Sequence, residues 1–136
     1  MDIEIYTDGG SLNNPGPAAC ACLIYQNRRL IYKGSFFLGE ASNNVAEYMG
    51  LIKALEKVLD LKKKHTISSI TCYADSQLMI KQLKGEYKIK HGDMKNLSEK
   101  IRRFIEEIGI SPSFIHIYRE QNEKADFLVK EELKNK

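Results

Sequence analysis

The stretch from Ile3 to Pro17 joins a strand pattern to a loop pattern, and this junction limits the folds open to the chain. Ile3, Ile5 and Thr7 are β-branched and recur at every second position, which predicts a strand. The residues that follow are rich in Gly, Asn and Pro, so a loop is predicted there and Asp8 falls at the strand end. Ligands of open α/β sheets bind outside the carboxyl ends of strands. Asp8 is therefore well placed for metal binding or catalysis, although an ordinary Asp-Gly turn explains it equally well.

The two glycines after Asp8 are a second feature of this junction. Gly9 and Gly10 carry no side chain that could clash with an approaching molecule. We therefore expect them to let a polyanionic backbone come close to Asp8.

The remainder of the chain alternates strand and helix patterns. The predicted elements are a hairpin of Ala18 to Tyr25 and Leu30 to Leu38, a polar connection from Gly39 to Asn44, a helix from Val45 to Leu61, a strand from Ile67 to Ala74, a short helix from Ser76 to Lys84, a helix from Gly92 to Gly109, a strand from Ser113 to Tyr118 and a helix from Asn122 to Leu133. This order predicts one α/β domain over residues 1–136, with a mixed sheet flanked by helices. Helical crossovers make the first, fourth and fifth strands parallel, so their carboxyl ends share one edge.

Composition narrows the class of protein. A chain of 136 residues with 43% hydrophobic residues is large enough to bury a core without disulfides. It contains no apolar run of the roughly 20 residues that span a membrane, and Met1 leads directly into the first strand. The three cysteines lack Cys-x-x-Cys spacing, so we expect reduced core residues. We expect a cytoplasmic protein with no membrane segment.

The net charge of +3 is compatible with a nucleic-acid partner but does not indicate one. The distribution of the charges along the chain is more informative. Lys62 to Lys64 end a helix, where lysines complement the helix dipole. A second basic segment contains Tyr87 and the residues Lys81, Lys84, Lys88, Lys90, His91 and Lys95. This segment is either a rim that faces phosphates or a solvated face.

Three further acids each have a plain structural explanation. Glu47 lies near the apolar stripe of its helix, where a carboxylate is costly unless paired or bound to a metal. A capping box between Asn44 and Glu47 is the simpler reading. Asp75 could cap the helix that begins at Ser76, and Asp126 could complement a helix dipole.

These separate explanations leave the common position of the acids unexplained. Asp8, Glu47, Asp75 and Asp126 all fall at one predicted edge of one sheet. Carboxylate oxygens are the ligands that Mg²⁺ prefers, and paired ions serve in-line phosphoryl transfer.

Motifs along the whole chain resemble those of type 1 ribonuclease H. The matching motifs are Thr7-Asp8-Gly9, Asn14-Pro15-Gly16-Pro17, Asn43-Asn44-x-x-Glu47, Asp75-Ser76-Gln77 and Arg119-x-x-Asn122-x-x-Ala125-Asp126. The resemblance implies a ribonuclease H-like five-stranded mixed sheet flanked by helices. It implies that Asp8, Glu47, Asp75 and Asp126 hold two Mg²⁺ or Mn²⁺ ions. The implied reaction cleaves the RNA strand of RNA/DNA hybrids and leaves 5′-phosphate and 3′-hydroxyl ends.

The resemblance also implies substrate contacts and shows two departures. The implied hybrid-binding residues are Gly9, Asn14, Asn43, Asn44 and Gln77. The stretch from Gly85 to Asn96 is shorter than the basic protrusion of the better-known bacterial enzymes, and the chain has no Trp. Their mobile histidine loop is replaced by a tight connection from Tyr118 to Gln121. We expect His116 to be structural and Arg119 to take a phosphate or product-release role.

Two other functions are compatible with the same residues. One is a nuclease of this fold that acts on another duplex, such as double-stranded RNA or DNA. The other is a non-catalytic module that binds hybrids, although retention of all four acids speaks against it. Because metal ligands are shared across chemistries, only the substrate distinguishes them. For each function we expect a monomer.

Overall fold

The computed structural model describes residues 1–90 and 92–135, and His91 of the basic segment lies outside the described residues. The strands are β1 (Asp2–Ser11), β2 (Gly16–Gln26), β3 (Arg29–Ala41), β4 (Ser69–Ala74) and β5 (Ser113–His116). The helices are α1 (Asn43–Lys62), α2 (Gln77–Leu83), α3 (Gly92–Ile108) and α4 (Glu123–Lys134), with a 3₁₀ turn at Arg119–Gln121. Within these ranges no helix has the length and apolar character needed to cross a membrane.

The five strands form one mixed sheet in the order β3-β2-β1-β4-β5. β1, β4 and β5 run parallel to each other, while β1–β2 and β2–β3 pair antiparallel. The predicted α/β class, the hairpin and the parallel set of three strands are therefore confirmed. The order places β1 at the centre, with β4 on one side and β2 on the other.

The apolar core lies between the sheet and α1, with α3 packed beside that helix. Alternation along β1 turns Ile3 and Ile5 toward α1, and both are at most 1% exposed. Leu51 and Leu55 supply the matching stripe of α1 and are equally buried. Cys20, Cys22 and Cys72 are buried free thiols, as expected.

β1 is longer than predicted, and Asp8 does not end it. Pairing with β2 continues through Asp8 to Ser11. Pairing with β4, in contrast, stops at the pair Thr7–Ala74. The sheet therefore divides at Asp8, which keeps a neighbouring strand on one side only.

Two helix caps also differ from the predicted ones. Ser42 caps α1, since its side chain accepts a hydrogen bond from the Val45 N–H at 3.2 Å. The alternative of a capping box between Asn44 and Glu47 is therefore wrong, because α1 begins at Asn43 and Ser42 is its cap. Ser76 caps α2 through the Met79 N–H, so Asp75 is not the cap.

Candidate active site

Three of the four predicted acids meet where β1 and β4 separate. Asp8 follows the last residue of β1 that pairs with β4, and Asp75 follows the last residue of β4. Glu47 reaches the same place from the second turn of α1. Asp8, Glu47 and Asp75 line one small recess, together with Ser76 and Met79 at the start of α2.

The close crossing of α1 over β1 brings Glu47 to this recess. A Cβ atom built on Gly9 would lie 2.3 Å from the carbonyl carbon and oxygen of Ala46 and 2.5 Å from the Glu47 nitrogen. Only glycine therefore permits the crossing at this position. At Gly9 this space is filled by the α1 backbone, whereas a Cβ on Gly10 would meet only Val129 Cγ1 at 3.6 Å, so the expected approach of a polyanion stays a prediction. The Gly9 N–H donates to the Asp8 carboxylate at 2.9 Å.

Asp8 is 8% exposed, and its surroundings disfavour its charged form. Burial raises the pKa of Asp8 to about 7, and repulsion from Asp75, Asp126 and Glu47 contributes to the rise, while the Gly9 N–H opposes it. This is the pattern of a carboxylate in a crowded acidic site. All four predicted acids are therefore electrostatically coupled at Asp8.

Glu47 shows the same effect with two compensating partners. Burial raises the pKa of Glu47 to about 7, and the negative charge of Asp75 adds to the rise. A hydrogen bond from the Ser76 hydroxyl and the positive charge of Arg119 act in the opposite direction. Ser76 thus caps α2 and orients Glu47 with one side chain.

Asp126 stands slightly apart from the other three acids. Its carboxylate forms an ion pair with Lys130, one helical turn later in α4, at 2.9 Å. Among residues 1–90 and 92–135, no group of three Asp, Glu, His or Cys side chains is close enough together to hold a metal ion in the conformation that the structure shows. Asp126 belongs to the cluster through its repulsion of Asp8.

Asn122 ties the acid cluster to the central strand. It is 2% exposed and lies between the 3₁₀ turn and α4. Its Nδ2 donates to the Thr7 carbonyl at 2.8 Å and to Asp75 Oδ2 at 3.4 Å. Its Oδ1 is buried and has no hydrogen-bond partner among the described residues. The amide therefore holds Asp75 near β1 at the cost of one unsatisfied acceptor.

Two of the predicted substrate residues interlock beside the acids. The Asn43 N–H donates to Asn14 Oδ1 at 2.8 Å, and the Ser11 N–H donates to Asn43 Oδ1 at 2.8 Å. Asn14 and Asn43 therefore fasten the β1–β2 loop to the start of α1. Each keeps its NH₂ group for other partners, because both oxygens act as acceptors in these bonds.

The other amides predicted to bind substrate are exposed. Gln77 begins α2 next to the acids, and Asn44 lies on the first turn of α1. Asn44 lines a cavity of about 480 Å³ together with Tyr87 and Lys88 of the basic segment. In this segment Lys81 lies over the Tyr87 ring at 4.9 Å. The basic segment thus adjoins the start of α1.

Arg119 and His116 lie on either side of the short connection between β5 and the 3₁₀ turn that leads to α4. Arg119 is exposed in the 3₁₀ turn, and its charge reaches Glu47. His116 is the last residue of β5 and contacts the ring of Tyr118, with centroids 5.7 Å apart. The structure thus brings the charge of Arg119 to the acids, and the roles expected for Arg119 and His116 stay predictions.

Three residues of the site were not predicted as such: Ser76, Asn122 and Lys130. Ser76 follows an acid and precedes a helix, which is the signature of a cap and could have been recognised. Lys130 lies four residues after Asp126 on one helix, a spacing that favours an ion pair. The contacts of Asn122 with Thr7 and Asp75 join distant parts of the chain, and no local pattern predicts them.

Comparisons with known proteins agree with this geometry. A family model described as reverse transcriptase-like matches residues 6–132. Ribonuclease HI of Halobacterium salinarum is 35% identical over 133 residues, which cover 96% of this chain and 64% of that protein. Ribonuclease H of Helicobacter acinonychis is 31% identical over 143 residues, which cover 96% and 92%. The crystal structure of LC11-RNase H1 in complex with an RNA/DNA hybrid has a TM-score of 0.90 and 38% identity, covering 95% and 94%.

The fold and the site therefore define a class of protein: an α/β domain that carries a cluster of acids where its parallel strands separate. The chain belongs to the ribonuclease H family, type 1. It spans 64% of the length of the halobacterial relative and 26% of the length of matching mycobacterial proteins.

Proposed function

We propose that the chain is an endoribonuclease that hydrolyses the RNA strand of RNA/DNA hybrids and leaves 5′-phosphate and 3′-hydroxyl ends. The convergence of Asp8, Glu47 and Asp75 in one recess is the observation that carries this proposal. A structural carboxylate pair would be neutralised by a base, whereas here burial and mutual repulsion raise two pKa values to about 7. The likeness to an RNase H1 bound to a hybrid supports the choice of substrate.

The residues fit divalent cations in donor chemistry and in charge. Asp8, Glu47, Asp75 and Asp126 offer only carboxylate oxygens, which suit Mg²⁺ and Mn²⁺. Asp8 experiences repulsion from the other three acids, and a bound cation would relieve it. We propose that these four residues hold two ions. When bound, such ions lower the pKa of a water and stabilise the leaving 3′-oxygen.

The remaining side chains orient the acids and attract the substrate. The Gly9 N–H and the Ser76 hydroxyl hold Asp8 and Glu47, and the Asn122 amide holds Asp75. Arg119 supplies positive charge beside Glu47 on the exposed side of the recess. A guanidinium in that position can bind a backbone phosphate.

Discrimination of the hybrid is proposed to depend on the amides around the recess. The NH₂ groups of Asn14 and Asn43 are held at a fixed separation by their interlocking bonds. Amides can bind 2′-hydroxyls and base edges in a minor groove without reading the sequence. Asn44 at the start of α1, Gln77 at the start of α2 and Gly9 next to Asp8 are proposed as further contacts with the hybrid.

Cleavage of a panel of duplexes tests the proposal. End-labelled RNA/DNA, RNA/RNA and DNA/DNA duplexes of one sequence are incubated with the protein and Mg²⁺ or Mn²⁺, and the products are mapped. We expect cleavage of the RNA strand of the hybrid alone, and resistance at a phosphate flanked by 2′-deoxy substitutions. Equal cleavage of RNA/RNA or DNA/DNA would instead assign a nuclease for another duplex.

A variant pair connects that activity to the recess. Asp75→Asn should abolish cleavage and leave hybrid binding largely intact, since it removes a charge at the reacting centre. Asp60→Asn is the matched control, because Asp60 is an exposed acid whose partner is Lys63 on the surface of α1. Wild-type cleavage by Asp75→Asn would remove Asp75 from the site, and hybrid binding without any cleavage by the wild type would indicate a binding module.

A further inference from the structure

A second cavity lies on the face of the sheet opposite α1. It has a volume of about 360 Å³, within the range of small-molecule sites. Its floor is made of cross-strand neighbours of β1 and β2, with Glu4 opposite Tyr25 and Tyr6 opposite Leu23. We call it the tyrosine cavity. Of its lining residues, Asn122 also belongs to the candidate active site, through its hydrogen bond to Asp75.

The floor of the tyrosine cavity presents aromatic rings to the space above it. The Tyr6 and Tyr25 rings meet edge to face, with centroids 5.6 Å apart. On its other side Tyr6 stacks on Tyr73 at 4.7 Å. The Tyr73 hydroxyl donates to Glu4 Oε2 at 3.3 Å, which fixes that carboxylate beside the rings. Aromatic faces next to a fixed carboxylate attract cations.

The charges around the cavity favour a cation as well. Glu4, Glu120 and Glu123 supply three carboxylates, against the two positive charges of Arg28 and Lys124. Within the described residues no ion pair joins these acids to those bases. The Lys124 ammonium lies 5.8 Å from the centroid of Tyr25. The chain thus already places one cation on this aromatic floor.

Asn122 adds a hydrogen-bond acceptor and a link to the acid cluster. It lines the tyrosine cavity, and its buried Oδ1 has no partner among residues 1–90 and 92–135. Because this oxygen is fully buried, an N–H donor in the cavity satisfies it only once the Asn122 side chain turns toward the cavity. The Asn122 Nδ2 donates to Asp75 Oδ2, so a ligand that moves the Asn122 amide also changes this hydrogen bond to Asp75.

We propose that the tyrosine cavity binds a small organic cation that carries N–H donors, a guanidinium or a primary ammonium group. The cation lies against Tyr6 and Tyr25 and displaces the Lys124 ammonium from the Tyr25 ring. Its N–H groups donate to Glu4 and, after the Asn122 side chain has turned toward the cavity, to Asn122 Oδ1. The group can come from a free amine or from an arginine side chain of another protein.

Calorimetric titration with agmatine, which carries a guanidinium and an ammonium group, tests the proposal without metal or nucleic acid. Lys124→Gln removes the competing cation and should tighten agmatine binding by about two- to fivefold, the effect of one exposed cation–π contact. Glu4→Gln should weaken binding several-fold. Lys100→Gln, which removes an exposed lysine of α3, is the control and should leave the affinity at the wild-type value.

The direction in which Lys124→Gln changes the affinity for agmatine decides whether the tyrosine cavity binds a cation. Weaker agmatine binding in this variant, an affinity equal to that of Lys100→Gln, or no saturable binding to the wild type would overturn the proposal. Saturable binding of inorganic phosphate that Lys124→Gln abolishes would assign an anion site and overturn it as well. These surface variants leave the core untouched, so misfolding does not obscure the result.

Two further measurements locate the ligand and its source. In nuclear magnetic resonance spectra, agmatine should shift the side-chain amide of Asn122 and the carboxyl carbon of Asp75, and unchanged signals of Asn122 would contradict the site. Binding of acetyl-arginine amide as tightly as agmatine would point to an arginine side chain, and weaker binding would point to a free amine. Because no cleavage is measured, failure here is distinct from failure of the proposed nuclease activity.

Discussion

The face of the β1–β4 pair that packs under α1 is apolar, and the carboxyl end of the same two strands is acidic. Ile3, Ile5 and Ile70 are at most 2% exposed and pack under α1. Asp8 and Asp75 follow directly at the carboxyl end, where the strands separate. The first region stabilises the fold by burying apolar surface, whereas the second concentrates like charges that oppose folding. Stability and function are thus separated along the same two strands.

Gly9 is the junction of the two regions, and a side chain there should have the largest effect. Gly9→Ala places a Cβ 2.3 Å from the Ala46 backbone, so α1 must move from β1. We expect a loss of more than about 4 kcal/mol in the free energy of unfolding, or no folded protein. Gly10→Ala is the matched control, because the nearest atom to its Cβ is Val129 Cγ1 at 3.6 Å. Similar urea midpoints for the two variants would show that the crossing does not depend on Gly9.

Truncation in the apolar region should cost stability and spare activity. Ile5→Ala is expected to lower the free energy of unfolding by about 2–5 kcal/mol, as is usual for a buried isoleucine. Cleavage per folded molecule should stay near the wild-type rate. Ile31→Ala, at an exposed position of β3, should change stability by less than about 0.5 kcal/mol. Loss of activity in folded Ile5→Ala would argue against the separation of the two regions.

The acidic region should make stability fall with rising pH in the absence of metal. The pKa values of Asp8 and Glu47 are raised to about 7, so the native state keeps protons that the unfolded state releases between about pH 4 and 7. This contribution is lost as pH rises through that window and is constant above it. Each pKa unit corresponds to about 1.4 kcal/mol, so several kcal/mol are involved.

The difference between wild type and Glu47→Gln isolates this contribution from that of other carboxylates. In urea unfolding in EDTA at a series of pH values, the free energy of unfolding of the variant, relative to that of the wild type, should rise from pH 4 to 7. A difference that stays constant over this range would indicate that Glu47 titrates normally in the folded protein.

Asp126 should show the smallest effect, because its ion pair with Lys130 offsets the repulsion. Asp126→Asn in EDTA relieves repulsion at Asp8 and loses an exposed helical ion pair worth about 0.3–0.5 kcal/mol. We expect a net gain of less than about 1 kcal/mol. In a Lys130→Gln background, which has already lost the pair, the gain should be larger. A loss of about 0.3–1 kcal/mol in both backgrounds would make Asp126 a helix-dipole partner.

The positions of the acids could be predicted because they depend on features that a sequence carries. Alternation along β1 and β4 and the helical crossovers place Asp8 and Asp75 at one edge. The apolar stripe of α1 places Glu47 toward the sheet. These patterns are periodic and local, so they can be recognised without knowing which distant segments each element contacts.

The details that could not be predicted depend on contacts between distant segments. Asp8 lies inside β1 because β2 continues to pair where β4 has ended, and a single-strand pattern cannot reveal this difference. The close approach of α1 to Gly9 likewise depends on a contact between distant segments. Asn122 reaches Thr7, 115 residues away in the chain. The local pattern points to Asn44 as the cap of α1, whereas the structure uses Ser42.

Thermal unfolding of wild type and Asp8→Asn, in EDTA and again with Mg²⁺, tests most directly whether the acids are kept for metal at the expense of stability. At pH 8 in EDTA we expect Asp8→Asn to melt higher, because it removes a buried charge that three other acids repel. Each kcal/mol corresponds to roughly 2–8 °C for domains of about this size. Added Mg²⁺ should raise the wild-type melting temperature more than that of the variant, since a cation bound only by the native state stabilises it. Asp2→Asn, at the opposite and exposed end of β1, should show no such gain in EDTA. A lower melting temperature for Asp8→Asn in EDTA, together with equal shifts of both proteins by Mg²⁺, would contradict a metal-binding acid cluster.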